Sequence, residues 1–191
     1  MLMPKPEGEI LAQRLGLLDD LRAIVPGEGV IADLTALRAY ESDGLSAYRQ
    51  VPMAVVLPDR VDQVAAIMQL CDRRRIKVVP RGAGTSLSGG ALPLEDGIIL
   101  GLGKFNKILE IDYENRAVRV QPGVTNLGIS QAVDGEGFYY APDPSSQIAC
   151  SIGGNVAENA GGVHCLKYGV TTNNLLGLEM VLLSGEIIRL G

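Results

Sequence analysis

The stretch "KVVPRGAGTSLSGGA", residues 77–91, joins a short apolar run to a loop holding four glycines and the small hydroxyl residues Thr85, Ser86 and Ser88. The apolar run reads as a buried strand, and the loop follows it at once. Glycine permits positive φ and lets a ligand approach the backbone closely. Successive N–H groups in such a loop can converge on one anion. Open α/β sheets bind ligands at the C-terminal ends of their strands, which is where this loop sits. Two readings stand at this point: a phosphate cradle or an ordinary surface loop. The stretch is not a Walker loop, because the Gly-Lys-Ser/Thr ending is missing. It also departs from GxGxxG, since Gly82-Ala83-Gly84 is followed by Leu87 at the third glycine position.

The flanking sequence supplies the rest of an α/β layer. "MAVVLP" (53–58) reads as a short buried strand, and "GIILGL" (97–102) as another. Between the first of these and Lys77, a helix is expected from 60 to about 75, capped by Asp59, with Val61, Val64, Ala65, Met68 and Cys71 on its apolar face. The order strand–helix–strand predicts a parallel pair with a crossover helix. Upstream, residues 7–25 carry Ile10, Leu11, Leu15, Leu18, Leu21 and Ile24 at helical spacing, stopped by Pro26-Gly27. A second short helix starts at Asp33. Downstream the pattern alternates. "ILEIDYENRAVRVQPG" (108–123) predicts a hairpin turning at Glu114-Asn115, and "LLGLEMVLLSGEIIRLG" (175–191) a hairpin turning at Ser184-Gly185. A helix is expected from Thr125 to near Gly135. The chain therefore reads as α+β in three parts. Residues 1–50 are an N-terminal helical segment, 51–103 a small α/β subdomain with parallel strands, and 104–191 a mainly antiparallel subdomain.

Composition narrows the function classes. The net charge of −5 argues against nucleic acid as a partner, which needs clustered Lys and Arg. The one basic run, Arg73-Arg74-Arg75 with Lys77, suits the solvated C-terminal end of a helix. No apolar run is long enough for a transmembrane helix, and "MLMPKPEGEI" has no signal-peptide core. Cys71, Cys150 and Cys165 form an odd set without a CxxC pair, which fits a reducing, cytoplasmic setting. Cys71 reads as core, whereas Cys150 and Cys165 lie in glycine-rich stretches where a site is conceivable. No metal site is expected from three scattered cysteines and one histidine. Asp19, Asp20, Glu110 and Asp112 read as solvated faces.

A second glycine-rich stretch, "APDPSSQIACSIGGNVAENAGG" (141–162), carries two glycine pairs and many small polar residues. A structureless loop of this length would be unusual without a function. Two such stretches can enclose one extended polyanionic cofactor. "VVPRGAGTSLSGGA", "APDPSSQIACSIGGNVAENAGG" and "HCLKYG" (164–169), in this order, resemble the FAD-binding domain of the vanillyl-alcohol-oxidase type, also called PCMH-type. Within it the likeness is to the flavin subunits of bacterial glycolate oxidases and the related D-lactate dehydrogenases. It covers residues 51–191, and the N-terminal helices also fit.

The resemblance implies bound FAD, with the pyrophosphate cradled by the backbone around Arg81, Gly82, Ala83, Gly84, Thr85 and Ser86, continued by Gly89 and Gly90. It implies that Pro142, Asp143, Ser145 and Ser146 line the flavin side, and that Ser151, Gly153, Gly154, Asn159 and Gly161 wrap the cofactor from the second subdomain. A turn requirement at each glycine and a helix cap at Asn159 are the structural alternatives. Some relatives hold FAD covalently through a histidine in the glycine loop; Thr85 stands in that region here, so non-covalent FAD is expected. His164, the only histidine, is a candidate proton acceptor, or else a hydrogen-bonded residue beside the cofactor loop. The resemblance further implies oxidation of a small 2-hydroxy acid, glycolate or D-lactate, by hydride transfer to flavin. It also implies partner subunits, including an iron–sulfur subunit, through which the protein could associate peripherally with a membrane. The alternative is a non-catalytic FAD-binding or assembly subunit. Because the resembling enzymes are much longer, the chain is expected to be an N-terminal piece whose substrate-binding residues lie beyond residue 191.

Overall fold

The computed structural model describes residues 3–191, and the backbone divides into two compact units. The first comprises Met1–Leu102 and Leu178–Gly191, the second Gly103–Gly177.

The core of the first unit is a four-stranded sheet of β1 (Val30–Ile31), β2 (Ala54–Val56), β3 (Lys77–Arg81) and β4 (Gly97–Gly101), in the order β1-β2-β4-β3. β1 runs antiparallel to β2, and β2, β4 and β3 are parallel. The expected pairing of the strands on either side of the crossover helix is therefore corrected: β4 lies between them. Side-chain chemistry accounts for this. Every residue of β4 is buried, as a central strand covered on both faces requires. β3 carries Lys77, Pro80 and Arg81, and a proline that cannot donate to the ladder belongs on an edge. Val55 and Ile99 pack with Leu37 into a fully buried cluster, edged by Ile31, Tyr40, Val51 and Leu57. Ala54, Val56, Ile98 and Leu100 alternate to the opposite face and are also buried.

The N-terminal helix is interrupted. α1 (Gly8–Leu11) ends at Ala12, and α2 (Arg14–Ile24) restarts after Gln13. The guanidinium of Arg14 donates to the carbonyls of Met53 at 3.0 Å and Ala32 at 2.7 Å. The break shifts the helical phase, so that Leu17 is fully buried while Leu15, expected on the apolar face, is 76% exposed. α3 (Leu34–Leu37) begins as expected, with the Asp33 carboxylate accepting from the Ala36 N–H at 3.0 Å.

α4 (Val61–Arg74) is the crossover helix, but Asp59 does not cap it. The N-cap is Arg60, and the buried Gln63 side chain instead accepts the Asp59 N–H at 2.9 Å. The buried face runs through Gln63, Val64, Ile67, Leu70 and Cys71, rotated from the expected Val61, Ala65 and Met68. Burial pushes the Cys71 thiol up to about 12, with Arg74 opposing, so this cysteine stays protonated and serves as core. The closing hairpin, β7 (Leu178–Val181) and β8 (Ile187–Leu190), turns through Gly185 at φ 80°. A side chain at Gly185 would collide with Gln69 and the Ala65 carbonyl of α4. That contact groups the hairpin with the first unit rather than with the second subdomain, where the sequence reading put it.

The second unit holds the expected hairpin of β5 (Ile108–Asp112) and β6 (Ala117–Val120), then α5 (Asn126–Val133), whose N–H at Gly128 is capped by Thr125 at 3.1 Å. α6 (Ile152–Glu158) and α7 (Cys165–Tyr168) are short. The stretch 141–162 is therefore ordered by turns and a helix rather than structureless.

Asp96 ties the N-terminus to the sheet. Its buried carboxylate accepts from the Glu7 N–H at 2.9 Å and from Lys77 Nζ at 2.7 Å. Burial pushes the Asp96 carboxyl up, but the Lys77 ammonium and the Glu7 N–H outweigh it and hold the group below its ordinary value. A depressed carboxyl stabilises the fold above its unfolded pKa, and the contribution is lost as pH falls through the folded value. Asp96→Asn is thus expected to lower the thermal midpoint at pH 7 by on the order of 2–4 °C. The difference from the wild type should close below about pH 4. Thermal scans of both proteins across pH 2–7 check this; a gap of constant size would refute the assignment.

Candidate functional site

β2, β4 and β3 are parallel, so their C-terminal ends lie on one side of the sheet, and the loop 82–90 leaves β3 from that side. The loop is held from within and from residues 43–44. Ser86 is buried, and its Oγ accepts from the N–H groups of Ser88 at 3.2 Å and Gly90 at 3.4 Å. Asp43 accepts the Ala91 N–H at 3.2 Å and the Leu45 N–H at 2.9 Å. Gly44 leaves no room for a side chain against the carbonyls of Thr85 and Ser86. These bonds engage the later N–H groups of the loop. The N–H groups of Gly82, Ala83, Gly84 and Thr85 make no hydrogen bond among the described residues. Gly84 has φ 69° and Gly89 φ 80°, conformations that favour glycine.

Arg81 ends β3 and folds back. Its guanidinium donates to the Tyr40 carbonyl at 3.2 Å and lies over the Tyr40 ring, 5.6 Å from its centre. Burial lowers its pKa, against the pull of Asp43. A Cβ on Gly84 would come within 2.5–2.8 Å of this guanidinium. Arg81 therefore shapes the loop by packing. A cleft of ≈ 620 Å³ elsewhere in this unit, lined by Leu11, Arg14, Leu34, Leu37, Glu41 and Pro52 among others, contains none of the sequence-predicted residues.

In the second unit, Pro142 and α6 are brought together by a buried amide network. Asn126, fully buried, donates to the Pro142 carbonyl at 2.8 Å, and its Oδ1 accepts from Asn155 Nδ2 at 3.0 Å. Ser145 is exposed, and the Ser146 carbonyl accepts the N–H groups of Ala149 and Cys150, both at 2.8 Å. Ser151 is buried and spends its hydroxyl capping α6 at Gly154, 3.4 Å. Gly153 donates to the Pro122 carbonyl at 2.8 Å, and a side chain there would meet Pro122. Asn159 is the left-handed C-cap of α6, with Oδ1 accepting from Thr172 N–H at 3.1 Å and Oγ1 at 2.9 Å. Gly161 packs on Val170. Ser151 and Asn159 thus have structural work of their own.

Asp143 and His164 meet. Asp143 Oδ1 accepts the His164 N–H at 3.1 Å, and Oδ2 lies 2.7 Å from Nδ1. The His164 N–H, then the ring, hold the Asp143 carboxyl below its ordinary value, with burial opposing. Gly162 makes this possible, since a side chain there would strike the Asp143 backbone carbonyl and carboxylate. Gly162, Asn126, Asn155 and Asp43 were absent from the sequence-predicted set. Gly162 was visible as half of a glycine pair, whereas the buried polar residues carry no periodic signal. Among the described residues, no group of three or more His, Cys, Asp or Glu side chains could hold a metal ion.

The family model described as "FAD binding domain" matches residues 52–191. Glycolate oxidase subunit GlcD of Escherichia coli K12 is 59% identical over 178 residues, covering 93% of this chain and 36% of that protein. Its Bacillus subtilis counterpart is 47% identical, with 80% and 32% covered. D-Lactate dehydrogenase of Anaerostipes hadrus is 36% identical, with 92% and 37% covered. The chain thus spans about a third of the length of these relatives. Substrate-bound p-cresol methylhydroxylase superimposes with a TM-score of 0.83 at 23% identity, over 97% of this chain and 37% of that one, which establishes the fold. Alkyldihydroxyacetonephosphate synthase does so at 0.82 and 20%, over 100% and 36%. A glycine loop at the strand ends, a second glycine-rich segment held by buried amides, and the family match together place this chain in the FAD-binding domain family, with FAD as its cofactor.

Proposed function

We propose that the chain is the FAD-binding part of an oxidoreductase that oxidises a small 2-hydroxy acid, glycolate or D-lactate. The observation that carries the FAD site is the run of unpaired N–H groups from Gly82 to Thr85, bent through Gly84 at positive φ. Such a run suits the pyrophosphate of a dinucleotide. A Cβ on Gly84 would press on the Arg81 guanidinium that shapes this loop, so the glycine keeps the N–H run in place and the residues present fit the cofactor. Arg81 shapes the loop, and Ser86 braces its far end by accepting the N–H groups of Ser88 and Gly90; by resemblance Ser86, Gly89 and Gly90 continue the cradle. By resemblance, Pro142, Asp143, Ser145 and Ser146 line the flavin side, and Ser151, Gly153, Gly154, Asn159 and Gly161 wrap the cofactor from the second subdomain, with Ser151 and Asn159 acting through α6. When bound, FAD supplies a two-electron acceptor for the hydride leaving the substrate carbon.

The choice of substrate rests on the names of the relatives: two glycolate oxidase subunits and a D-lactate dehydrogenase. The word "subunit" in the first two supports partner chains, and an iron–sulfur subunit is the partner we assign for electron exit. No described helix is long and apolar enough to cross a membrane. We place the protein in the cytoplasm, with any membrane association made through partners.

Thr85 offers no imidazole for a flavin bond, so FAD is held non-covalently. Acid precipitation of the full-length flavoprotein is expected to release yellow flavin into the supernatant; flavin left in a washed pellet would contradict this. Bleaching of the flavin spectrum by glycolate or D-lactate separates the oxidase from a non-catalytic FAD-binding or assembly subunit, which would keep its oxidised spectrum.

A further inference from the structure

We propose that residues 40–45, upstream of the stretch that the family model matches, belong to the cofactor site as a brace that holds the glycine loop in its FAD-binding form before FAD arrives, with Asp43 as the positioning residue. This rests on the reading above that the loop cradles FAD. The brace touches the loop at its start, middle and end. At the start, the Tyr40 carbonyl accepts from the Arg81 guanidinium at 3.2 Å, and the same guanidinium lies over the Tyr40 ring. In the middle, a Cβ on Gly44 would come within 2.5–2.8 Å of the Ser86 and Thr85 carbonyl oxygens. Gly44 is not at positive φ, so the closeness of the loop, and not its own conformation, demands glycine there. Further on, a Cβ on Gly89 would stand 3.3 Å from Leu45 Cδ2. At the end, Asp43 Oδ2 accepts the Ala91 N–H at 3.2 Å, across 48 positions of chain.

Asp43 is buried, and its other oxygen accepts the Leu45 N–H at 2.9 Å, so one side chain fixes both the brace and the end of the loop. The brace is itself anchored. Tyr40 packs against the buried cluster of Leu37, Val55 and Ile99, and the Gln50 N–H returns to the Glu41 carbonyl at 2.9 Å. The loop's internal bonds run from Ser86 to Ser88 and Gly90, which leaves residues 82–85 to be placed by Arg81 and the brace. A carboxylate repels a pyrophosphate, so Asp43 acts by position and not by contact. Its two N–H donors and its attraction for Arg81 compensate its charge. A loop fixed in advance loses less freedom on binding, which raises affinity without any contact between the brace and the ligand.

Asp43→Asn keeps the shape of the side chain but can accept only one of the two N–H groups. Gly44→Ala adds a single methyl against the loop carbonyls. In the full-length flavoprotein stripped of FAD, each is expected to raise the FAD dissociation constant by about tenfold or more. Asp96→Asn is the comparison. Asp96 precedes β4 and bonds Lys77 at the start of β3, at the end of the sheet away from the loop, so this variant should lose stability and keep its FAD affinity. Isothermal titration with FAD is read beside the thermal midpoint of each FAD-free protein. Wild-type affinity in the folded brace variants, or an affinity loss that Asp96→Asn reproduces at an equal fall in midpoint, would overturn the proposal. Hydrogen exchange of the wild-type chain without FAD tests it with no substitution: the Ala91 amide should exchange far more slowly than those of Gly82–Thr85, and free exchange at Ala91 would refute a brace formed in advance. Wild-type protein that binds FAD with residues 82–87 still exchanging freely would instead overturn the loop reading beneath.

Discussion

Asn126→Ala will destabilise the second unit by about 2–4 kcal/mol, because the substitution strands two buried groups and each unsatisfied one costs about 1–3 kcal/mol. The Pro142 carbonyl loses its donor and the Asn155 amide loses its acceptor, at a site with no solvent exposure. Water is not at hand to replace either bond. The same network joins the start of α5, the middle of α6 and the loop at Pro142, so its loss should also loosen the segment assigned to the flavin. Urea denaturation followed by a second-unit probe, such as exchange at the α6 amides, measures the effect. A change under about 0.5 kcal/mol would place Asn126 among ordinary surface substitutions and remove the network from the account.

Gly84→Val will weaken FAD binding by roughly tenfold or more, the cost of losing one N–H contact to a charged group at about 1.5–3 kcal/mol. Two strains act together. Gly84 sits at φ 69°, which a β-branched residue strongly resists, and its Cβ would press on the Arg81 guanidinium. Either the loop re-forms with its N–H groups turned elsewhere, or Arg81 leaves Tyr40. Isothermal titration of FAD into full-length wild type and variant, with circular dichroism to confirm equal folding, decides the matter. Equal affinity in a folded variant would reduce the loop to a connector.

Strands β2 to β4, both hairpins, and the starts of α3 and α5 were legible because each depends on local chemistry: apolar runs, Ser-Gly and Glu-Asn turns, a side-chain oxygen ahead of a helix; the two-residue β1 was too short to read, and the cap expected at Asp59 is not made. Sheet order was less accessible. The strands flanking α4 suggest a simple crossover pair, and only the full burial of β4 beside the Lys-Pro-Arg character of β3 places β4 between them. The interruption at Ala12-Gln13 has no glycine or proline to mark it; it accompanies the docking of Arg14 onto two distant carbonyls, a tertiary cause. The glycine loop showed where a ligand could sit, but not what holds the loop. Asp43 and Gly44 do that from more than forty positions upstream in the chain. Likewise Asn126 and Asn155 look like ordinary polar residues in a helical stretch, and only their burial reveals that they order residues 142–155.

FAD held by the backbone of residues 81–86, continued by Gly89 and Gly90, is the proposal on which the rest depends. Hydrogen exchange of the protein with and without saturating FAD tests it most directly, since Gly82–Thr85 have N–H groups free to exchange in the absence of cofactor. The account predicts marked slowing at residues 82–87 and at 151–162 on adding FAD, with no change in the β5–β6 hairpin. Bound FAD that leaves residues 82–87 exchanging at their free rate would contradict it.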